Sequence, residues 1–415
     1  MRATSLVTVA SLTVASLAAP HIPDQHPLDL NIIPLFSAFP EPSALAQNTV
    51  PAKQQNLDLI AFHKGLVEIP SVSFDEYNIS KWLSSTLEGL GYTTELQQLE
   101  GTSRYNVLAW PGEIRNARTL ITSHIDTVPP FYPYTVQSND TDTIISGRGS
   151  VDAKASVAAQ IVAVNHLITK QRISADDVNV LYVVGEEVHG DGMRAANSLG
   201  LTPQTVIFGE PTEGKLVAGH KGILGLSLTA LGKAAHSGYP WLGRSANEVL
   251  VTALSALIGL GDRLPTSEKY GQTTINLGRI EGGVAGNVVA ESAKALVAVR
   301  IAAGTPEDIK ANITKVVNEA VKGFKTSEDD EVIEYDFTSN GYSPVDIDHD
   351  VPGFETITVN YGTDIPNFER REGQKRYLYG PGSILVAHSD HEAITVGELE
   401  EAVEGYQRLI LHSLQ

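Results

Sequence analysis

The stretch VLYVVGEEVHGDG, residues 180–192, changes abruptly from apolar to acidic. Its first half is rich in β-branched and aromatic residues, which predicts a buried β-strand. Glu186 and Glu187 then stand side by side where that strand should end. Two adjacent carboxylates repel each other and are costly near a core, so we expect a positive group beside them.

Polar side chains follow other predicted strands in the same way. His124 and Asp126 come after the run TLITS, Glu210 comes after TVIFG, and Asp152 stands at a loop-to-helix junction. Strand-like runs alternate here with amphipathic helical stretches, which predicts an α/β layer with a mainly parallel central sheet. Ligands bind beyond the carboxyl ends of such strands, so these side chains should converge on one crevice.

Each of these residues has a plainer explanation when it is taken alone. Asp152 could cap the helix that follows it, His124 could be a structural histidine, and Glu210 could be an exposed loop carboxylate. Together, however, five converging carboxylates without a countercharge would repel one another strongly. Histidine and carboxylate ligands without a thiolate suit zinc, with cobalt or manganese as alternatives. Five ligands exceed the need of one tetrahedral zinc, but two zinc ions sharing a bridging carboxylate would use them all.

The sequence pattern changes near Gly219, where strands of a more open sheet and two capped helices predict an inserted α+β domain. The N-terminus is typical of a secretory signal peptide, because it has one arginine, then an apolar run, and then small residues before Pro20. We therefore predict a signal peptide over 1–19, a propeptide or flexible arm over 20–50, a catalytic domain over 51–218 and 334–415, and the inserted domain over 219–333.

Composition limits the partners of this 415-residue chain. A formal net charge of −19 argues against nucleic acid and anionic membranes, and it requires a local positive site for any anionic substrate. Cysteine is absent, which excludes thiol nucleophiles. No segment after the N-terminus predicts a membrane helix. Three glycosylation acceptors agree with a secreted, extracellular protein, namely Asn78, Asn139 and Asn312.

Four segments carry a family resemblance: SHIDTVP (123–129), GRGSVD (147–152), GEE (185–187) and GEPT (209–212). They resemble those of the two-zinc aminoacyl hydrolases, which include glutamate carboxypeptidase, acetylornithine deacetylase, succinyl-diaminopimelate desuccinylase and aminoacylase. The resemblance runs from Asn56 to the C-terminus and is strongest to secreted fungal carboxypeptidase-like members. It implies a zinc-dependent exopeptidase-like catalytic domain with an inserted ferredoxin-like lid and dimerisation domain.

The resemblance also implies a role for each polar residue. His124 and Glu210 would bind one zinc, Glu187 and a C-terminal histidine the other, and Asp152 would bridge the pair. Glu186 would be the general base, and Asp126 would orient His124.

Two points of this assignment depend on local sequence. His388 is the favoured C-terminal ligand because it stands in an Ala-His pair shortly before Glu392, and His391 is the alternative. The chain has Ala-Lys-Ala at 153–155 where the family often has Met-Lys-Gly, which we expect to affect packing more than ligation.

The inserted domain would complete the substrate site and close over it as a lid. The resemblance implies that His236 helps to bind the reacting carbonyl, often across a homodimer, and that Asn287 and Arg300 contact the substrate carboxylate. A bidentate arginine would meet the need for a local positive site, although without the resemblance Arg300 would be taken for a surface strand residue.

The resulting prediction is a secreted zinc hydrolase that cleaves an amide bond beside a free carboxylate. A metallo-carboxypeptidase that releases C-terminal amino acids from peptides is the first choice. An N-acyl-amino-acid deacylase is the alternative, and a non-catalytic peptide-binding protein is a third.

Overall fold

A computed structural model describes residues 57–138, 142–337 and 341–415. The predicted signal peptide and propeptide, like Asn139, lie outside these ranges. The α-helices of the described part are α1 Leu59–Val67, α2 Tyr77–Gly89, α3 Lys154–Thr169, α4 Asp191–Ala196, α5 Ala246–Gly261, α6 Pro306–Val321 and α7 Val396–Ser413. Within the same ranges, none of them combines the length and the apolar character that a bilayer crossing requires.

The strands of the described part are β1 Thr93–Gln98, β2 Tyr105–Trp110, β3 Thr119–His124, β4 Thr135–Ser138, β5 Thr143–Ser146, β6 Val178–Val183, β7 Thr205–Gly209, β8 Leu216–His220, β9 Gly222–Leu231, β10 Thr266–Ser267, β11 Gly271–Gln272, β12 Thr274–Gly282, β13 Ser292–Ile301, β14 Ile333–Asp336, β15 Val345–Asp346, β16 Thr356–Val359, β17 Lys375–Tyr379 and β18 Ala393–Thr395.

A six-stranded sheet in the order β1-β2-β6-β3-β7-β17 forms the centre of the molecule. Strands β6, β3, β7 and β17 run parallel, whereas β1 and β2 are antiparallel to their neighbours. Neighbouring residues such as Leu120 and Ile121 belong to separate apolar cores, because helices or loops cover both faces of the sheet. The predicted α/β architecture with a mainly parallel sheet centre is confirmed, with an antiparallel edge added.

A second, antiparallel sheet has the order β12-β13-β9-β14. Burial alternates along β13, since one face of the sheet packs against α5 and α6 and the other face stays open. The N-cap residue Thr305 and the residue Asp308 form a capping box at α6, and Pro306 opens that helix. We call this sheet with its two helices the lid. Strand β14 still belongs to it, so the predicted return to the first layer at Glu334 comes a few residues too early.

Both chain connections to the lid pass through one small sheet. Strand β8 leads directly into β9, and β15 follows β14 along the chain. These two connecting strands pair with each other antiparallel, and β16 joins β8 on its other side. His220 at the end of β8 is fully buried and hydrogen-bonds to Thr363 Oγ1 through Nε2 at 3.1 Å. The lid is therefore attached by two strands that are hydrogen-bonded side by side.

Candidate active site

Parallel strands end at one edge of the six-stranded sheet and carry acidic and histidine side chains there. Two groups of possible ligands form, each with donor atoms within 4.8 Å of one another. The first group is His124, Asp152 and Glu210, and the second is Asp152, Glu187 and His388. The residues that were predicted to bind metal are thus brought together in the predicted pairing, with Asp152 common to both groups.

Asp152 faces one histidine with each of its carboxylate oxygens. Its Oδ1 lies 3.1 Å from His124 Nε2, and its Oδ2 lies 3.2 Å from His388 Nε2. His388 Nε2 is also 3.0 Å from a Glu187 carboxylate oxygen. Helix α3 has Ala153 as its N-cap residue and no side-chain cap, so the plainer explanation of Asp152 as a helix cap is wrong.

The second histidine candidate, His391, lies elsewhere. Its Nδ1 pairs with Asp390 at 2.9 Å in an exposed contact, and it belongs to neither ligand group. His388 reaches the site from a left-handed backbone conformation, with a φ of 64°. The geometry therefore favours His388 over His391 as the C-terminal ligand.

The charge balance of these groups calls for a cation. Burial, followed by repulsion from Glu210, raises the pKa of Glu186 well above its ordinary value. Burial also raises the pKa of Glu210 well above its ordinary value, against the attraction of His124 and with added repulsion from Asp152 and Glu187. A cation placed among these carboxylates would oppose both effects, because it stabilises their ionised forms. The oxygen and imidazole donors therefore fit a divalent transition metal such as zinc.

Asp126 holds the adjacent glutamates by their backbone. Its Oδ1 accepts a hydrogen bond from the Glu186 amide at 3.1 Å, and its Oδ2 accepts one from the Glu187 amide at 3.3 Å. Ser73 Oγ donates to the same Oδ2 at 2.8 Å, a contact that the sequence did not predict. His124 Nδ1 lies 2.9 Å from the Asp126 carbonyl oxygen but 3.6 Å from its carboxylate, so the main chain is the nearer acceptor that orients the imidazole.

The turn that presents Glu186 and Glu187 requires glycine at its first position. Gly185 has a φ of 75°, and a Cβ atom there would run into the guanidinium of Arg104. Arg104 in turn forms two hydrogen bonds with the buried carboxylate of Glu76, at 2.8 and 2.7 Å. The turn thus packs against a buried ion pair and is held by the hydrogen bonds to Asp126.

A cavity of about 940 Å³ opens in front of the two ligand groups. Glu186 lines it on the sheet side, and Arg300 lines it from β13 of the lid. Tyr342 and Tyr361, which the sequence did not predict as site residues, also line the cavity. No local pattern around either tyrosine distinguishes it from a core aromatic residue.

His236 and Asn287 do not line this cavity. Both are exposed, and they lie on neighbouring segments of the lid, where the Ser237 amide donates to the Asn287 carbonyl at 3.0 Å. Within one chain, the structure therefore brings Arg300 to the ligand groups but leaves the other two predicted substrate contacts outside.

Of the glycosylation acceptors, Asn78 on α2 and Asn312 on α6 are exposed, and their modification stays a prediction.

Known proteins resemble this chain over nearly its whole length. A probable carboxypeptidase of Aspergillus oryzae is 48% identical over 99% of this chain and 98% of its own. The model of the M20 peptidase dimerisation domain matches residues 218–325.

Two solved structures share the fold. A tripeptidase from Staphylococcus aureus has a TM-score of 0.68 and 23% identity, covering 86% of this chain and 98% of its own. An M20 family metallo-carboxypeptidase from Sulfolobus solfataricus has a TM-score of 0.64 and 19% identity, covering 86% and 100%.

These similarities agree with the strand-end residues and with the inserted lid. They also confirm the predicted fold class and the prediction of a hydrolase. The chain belongs to the M20 family of peptidases.

Proposed function

We propose that the protein is a secreted metallo-carboxypeptidase that uses two divalent cations, zinc by preference, to release C-terminal amino acids from peptides. One observation carries this proposal. Asp152 is shared by two ligand groups, and the cavity that these groups line also contains a free carboxylate, Glu186, and a cationic side chain, Arg300. A cation pair, a base and a carboxylate receptor are the parts that hydrolysis of a C-terminal peptide bond needs.

The two ligand groups would each hold one cation. His124, Asp152 and Glu210 form the first site, and Asp152, Glu187 and His388 form the second. When bound, the cations supply Lewis-acid polarisation of the scissile carbonyl and lower the pKa of water.

Glu186 is the general base in this proposal. Its carboxylate lines the cavity and accepts no hydrogen bond from any residue in the described ranges, so it can accept a proton. During attack on the carbonyl carbon, a carboxylate oxygen of Glu186 takes one proton from water. The same oxygen then delivers this proton to the leaving nitrogen as the C–N bond breaks, which regenerates the ionised base.

Arg300 provides the positive site that an anionic substrate requires. Among the described residues, no carboxylate forms an ion pair with its guanidinium, although the chain carries 49 acidic residues. A guanidinium can bind a carboxylate through two parallel hydrogen bonds, which fixes the orientation of the peptide end. The distance between Arg300 and Glu186 would then select the bond beside the terminal residue.

Cleavage assays test this assignment against the deacylase alternative. Purified protein loaded with zinc is offered a blocked dipeptide with a free C-terminus, the same dipeptide as its C-terminal amide, and N-acetyl amino acids. The proposal expects rapid release of the terminal residue from the first and little reaction with the amide. Preferred cleavage of the N-acetyl amino acids would replace the carboxypeptidase with a deacylase.

A homodimer through the lid would supply the missing carbonyl contact. The lid exposes apolar side chains on its edge strand β12 and on helix α5, namely Ile280, Val251 and Ile258, with exposures of 56%, 64% and 64%. In such a dimer, His236 of the partner subunit would reach the cavity.

Mixing the Glu186→Gln and His236→Ala variants tests the dimer, because each mixed dimer can rebuild one complete site. Recovery of turnover above the sum of the separate variants is expected. No recovery, in samples shown by sedimentation to be mixed dimers, would contradict a role for His236 across the dimer.

Export and glycosylation are tested in a eukaryotic host. We expect the protein in the culture medium, with a new N-terminus near residue 19 and glycan mass on peptides that contain Asn78 or Asn312. Retention of the intact N-terminus inside the cells would contradict secretion.

A further inference from the structure

A buried ion pair lies directly behind the second ligand group. Arg148 is in the loop before α3, and Glu392 immediately precedes β18. Each residue is 2% exposed, and Arg148 Nη1 donates to Glu392 Oε2 at 2.6 Å. A buried pair of this kind gives uncertain net stability, because desolvation of the charges offsets their attraction. Its position therefore needs another explanation.

Glu392 fixes the backbone of the shared ligand. Its Oε1 accepts hydrogen bonds from the amides of Val151 at 3.0 Å and of Asp152 at 3.1 Å. These bonds fix the backbone position from which the two Asp152 oxygens reach the two histidines.

Arg148 fixes the backbone of the C-terminal ligand. Its Nη2 donates to the His388 carbonyl at 3.3 Å, and its Nε donates to the Pro130 carbonyl at 3.2 Å. His388 stands in a left-handed conformation that costs a non-glycine residue on the order of 1 kcal/mol and needs support from its surroundings. Arg148 and His388 are 240 positions apart along the chain, so this contact joins two distant segments.

We propose that Arg148 and Glu392 are positioning residues that set the cation affinity of the second group, formed by Asp152, Glu187 and His388. The pair touches the backbone of two of its three members and neither His124 nor Glu210, so the second cation should depend on it most. This inference rests on the proposed two-cation function. Neither residue lines the cavity, so neither acts on substrate directly.

Stepwise zinc binding to the chelator-treated protein tests the proposal, with calorimetry and metal analysis after dialysis as readouts. In Arg148→Lys, one amine cannot replace a guanidinium that serves Glu392, His388 and Pro130 together. We expect one cation to bind nearly as in the wild type and the other about 10- to 100-fold more weakly, the usual effect of losing a group that orients a ligand.

Arg244→Lys is the matched control. Arg244 also combines a 2.6 Å ion pair, with Asp330, and a hydrogen bond to a backbone carbonyl, but it lies in the lid. Its replacement should leave both cation affinities unchanged, even if the melting temperature falls as in Arg148→Lys. Glu392→Gln is the second test variant. Because Glu392 holds the shared Asp152 and also pairs with Arg148, its replacement should weaken one cation more than the other.

The outcomes separate the two proposals. A wild-type protein that binds fewer than two zinc ions would contradict the two-cation function itself. Two tightly bound zinc ions in the wild type and unchanged affinities in a folded Arg148→Lys or Glu392→Gln would overturn only the positioning role. Failure of both variants to fold would assign the pair to the fold as a whole and overturn it as well.

Discussion

The edge of the six-stranded sheet and the lid differ in what they bury, carboxylates in one case and apolar side chains in the other. At the sheet edge, carboxylates are buried close to one another at an electrostatic cost, and hydrogen bonds such as those of Asp126 keep them in place. In the lid, one sheet face forms an ordinary apolar core, while its open face carries exposed residues such as Leu296. The electrostatic cost of burying carboxylates at the sheet edge identifies the candidate active site. The apolar core of the lid forms a scaffold that presents Arg300. The two regions should therefore respond differently to substitution.

Glu186→Gln is expected to have the largest effect and to change chemistry without changing structure. Loss of a general base lowers turnover by about 10²- to 10⁴-fold, because no other group takes the proton. Zinc content and melting temperature should stay close to the wild type. Turnover is measured on a blocked dipeptide, with the exposed Glu213→Gln as control, and near-normal turnover would refute the role of Glu186.

Leu228→Ala tests the lid, where we expect a loss of stability instead of a direct effect on the chemical step. Leu228 on β9 is fully buried in the lid core, and truncation of such a side chain costs about 2–5 kcal/mol. Leu296→Ala, at a position that is 40% exposed on the open face, should cost within about 0.5 kcal/mol in a monomeric sample. Urea denaturation measures both values. Equal losses would mean that the open face is packed in solution.

Arg300→Ala tests the point where the two regions meet. Hydrogen bonds to charged groups contribute about 1.5–3 kcal/mol, so KM for a peptide with a free C-terminus should rise about 10- to 100-fold. The amidated peptide should be affected much less. Steady-state kinetics on both substrates gives the comparison, and an equal effect on the two would exclude carboxylate recognition by Arg300.

The smallest expected effect concerns two buried histidines, one on α1 and one on the connecting strand β8. Burial lowers the pKa of His63 on α1 to about 4, and it does the same for His220 beside the lid. Both folded-state pKa values lie below the unfolded value of 6.5, so the unfolded chain binds more protons at acid pH. Stability is thus fully present above pH 6.5 and falls as the pH drops towards 4. Each histidine should remove about 1 kcal/mol between pH 7 and pH 5.5.

Denaturation at several pH values measures this slope. His63→Gln and His220→Gln should each flatten it, and both together should flatten it further. A slope that neither replacement changes would show that other groups control acid stability.

Local sequence was sufficient to predict that the strand-end residues converge, whereas their division into two ligand groups needed the family resemblance. Glu187 and Glu210 follow apolar strands directly, and parallel strands end at a common edge, so their convergence follows from the α/β pattern alone. His388 needed the family spacing, because its loop lies far along the chain and carries a second histidine nearby.

Contacts between distant segments could not be predicted. Ser73, Arg104 and Arg148 lie in loops. Arg148 belongs to the GRGSVD segment, but the contacts that each of the three makes near the site arise only from tertiary packing. The role of Asp126 was predicted in part, because Asp126 stands only two positions after His124 in the sequence. Its hydrogen bonds to the glutamate backbone, however, depend on the pairing of β3 with β6. Strand register decides such bonds, and sequence periodicity does not specify which strands become neighbours.

The paired strands β8 and β15 have a mechanical consequence for the lid. A single connecting strand would let the lid rotate in any direction. Two connecting strands that are hydrogen-bonded side by side resist twisting and sliding. Bending across this ribbon breaks none of the hydrogen bonds between the two strands, so we expect the lid to swing by bending there. Arg300 would then return to the same place in every cycle, and the reach of the enzyme along a peptide would be fixed by the geometry of that swing.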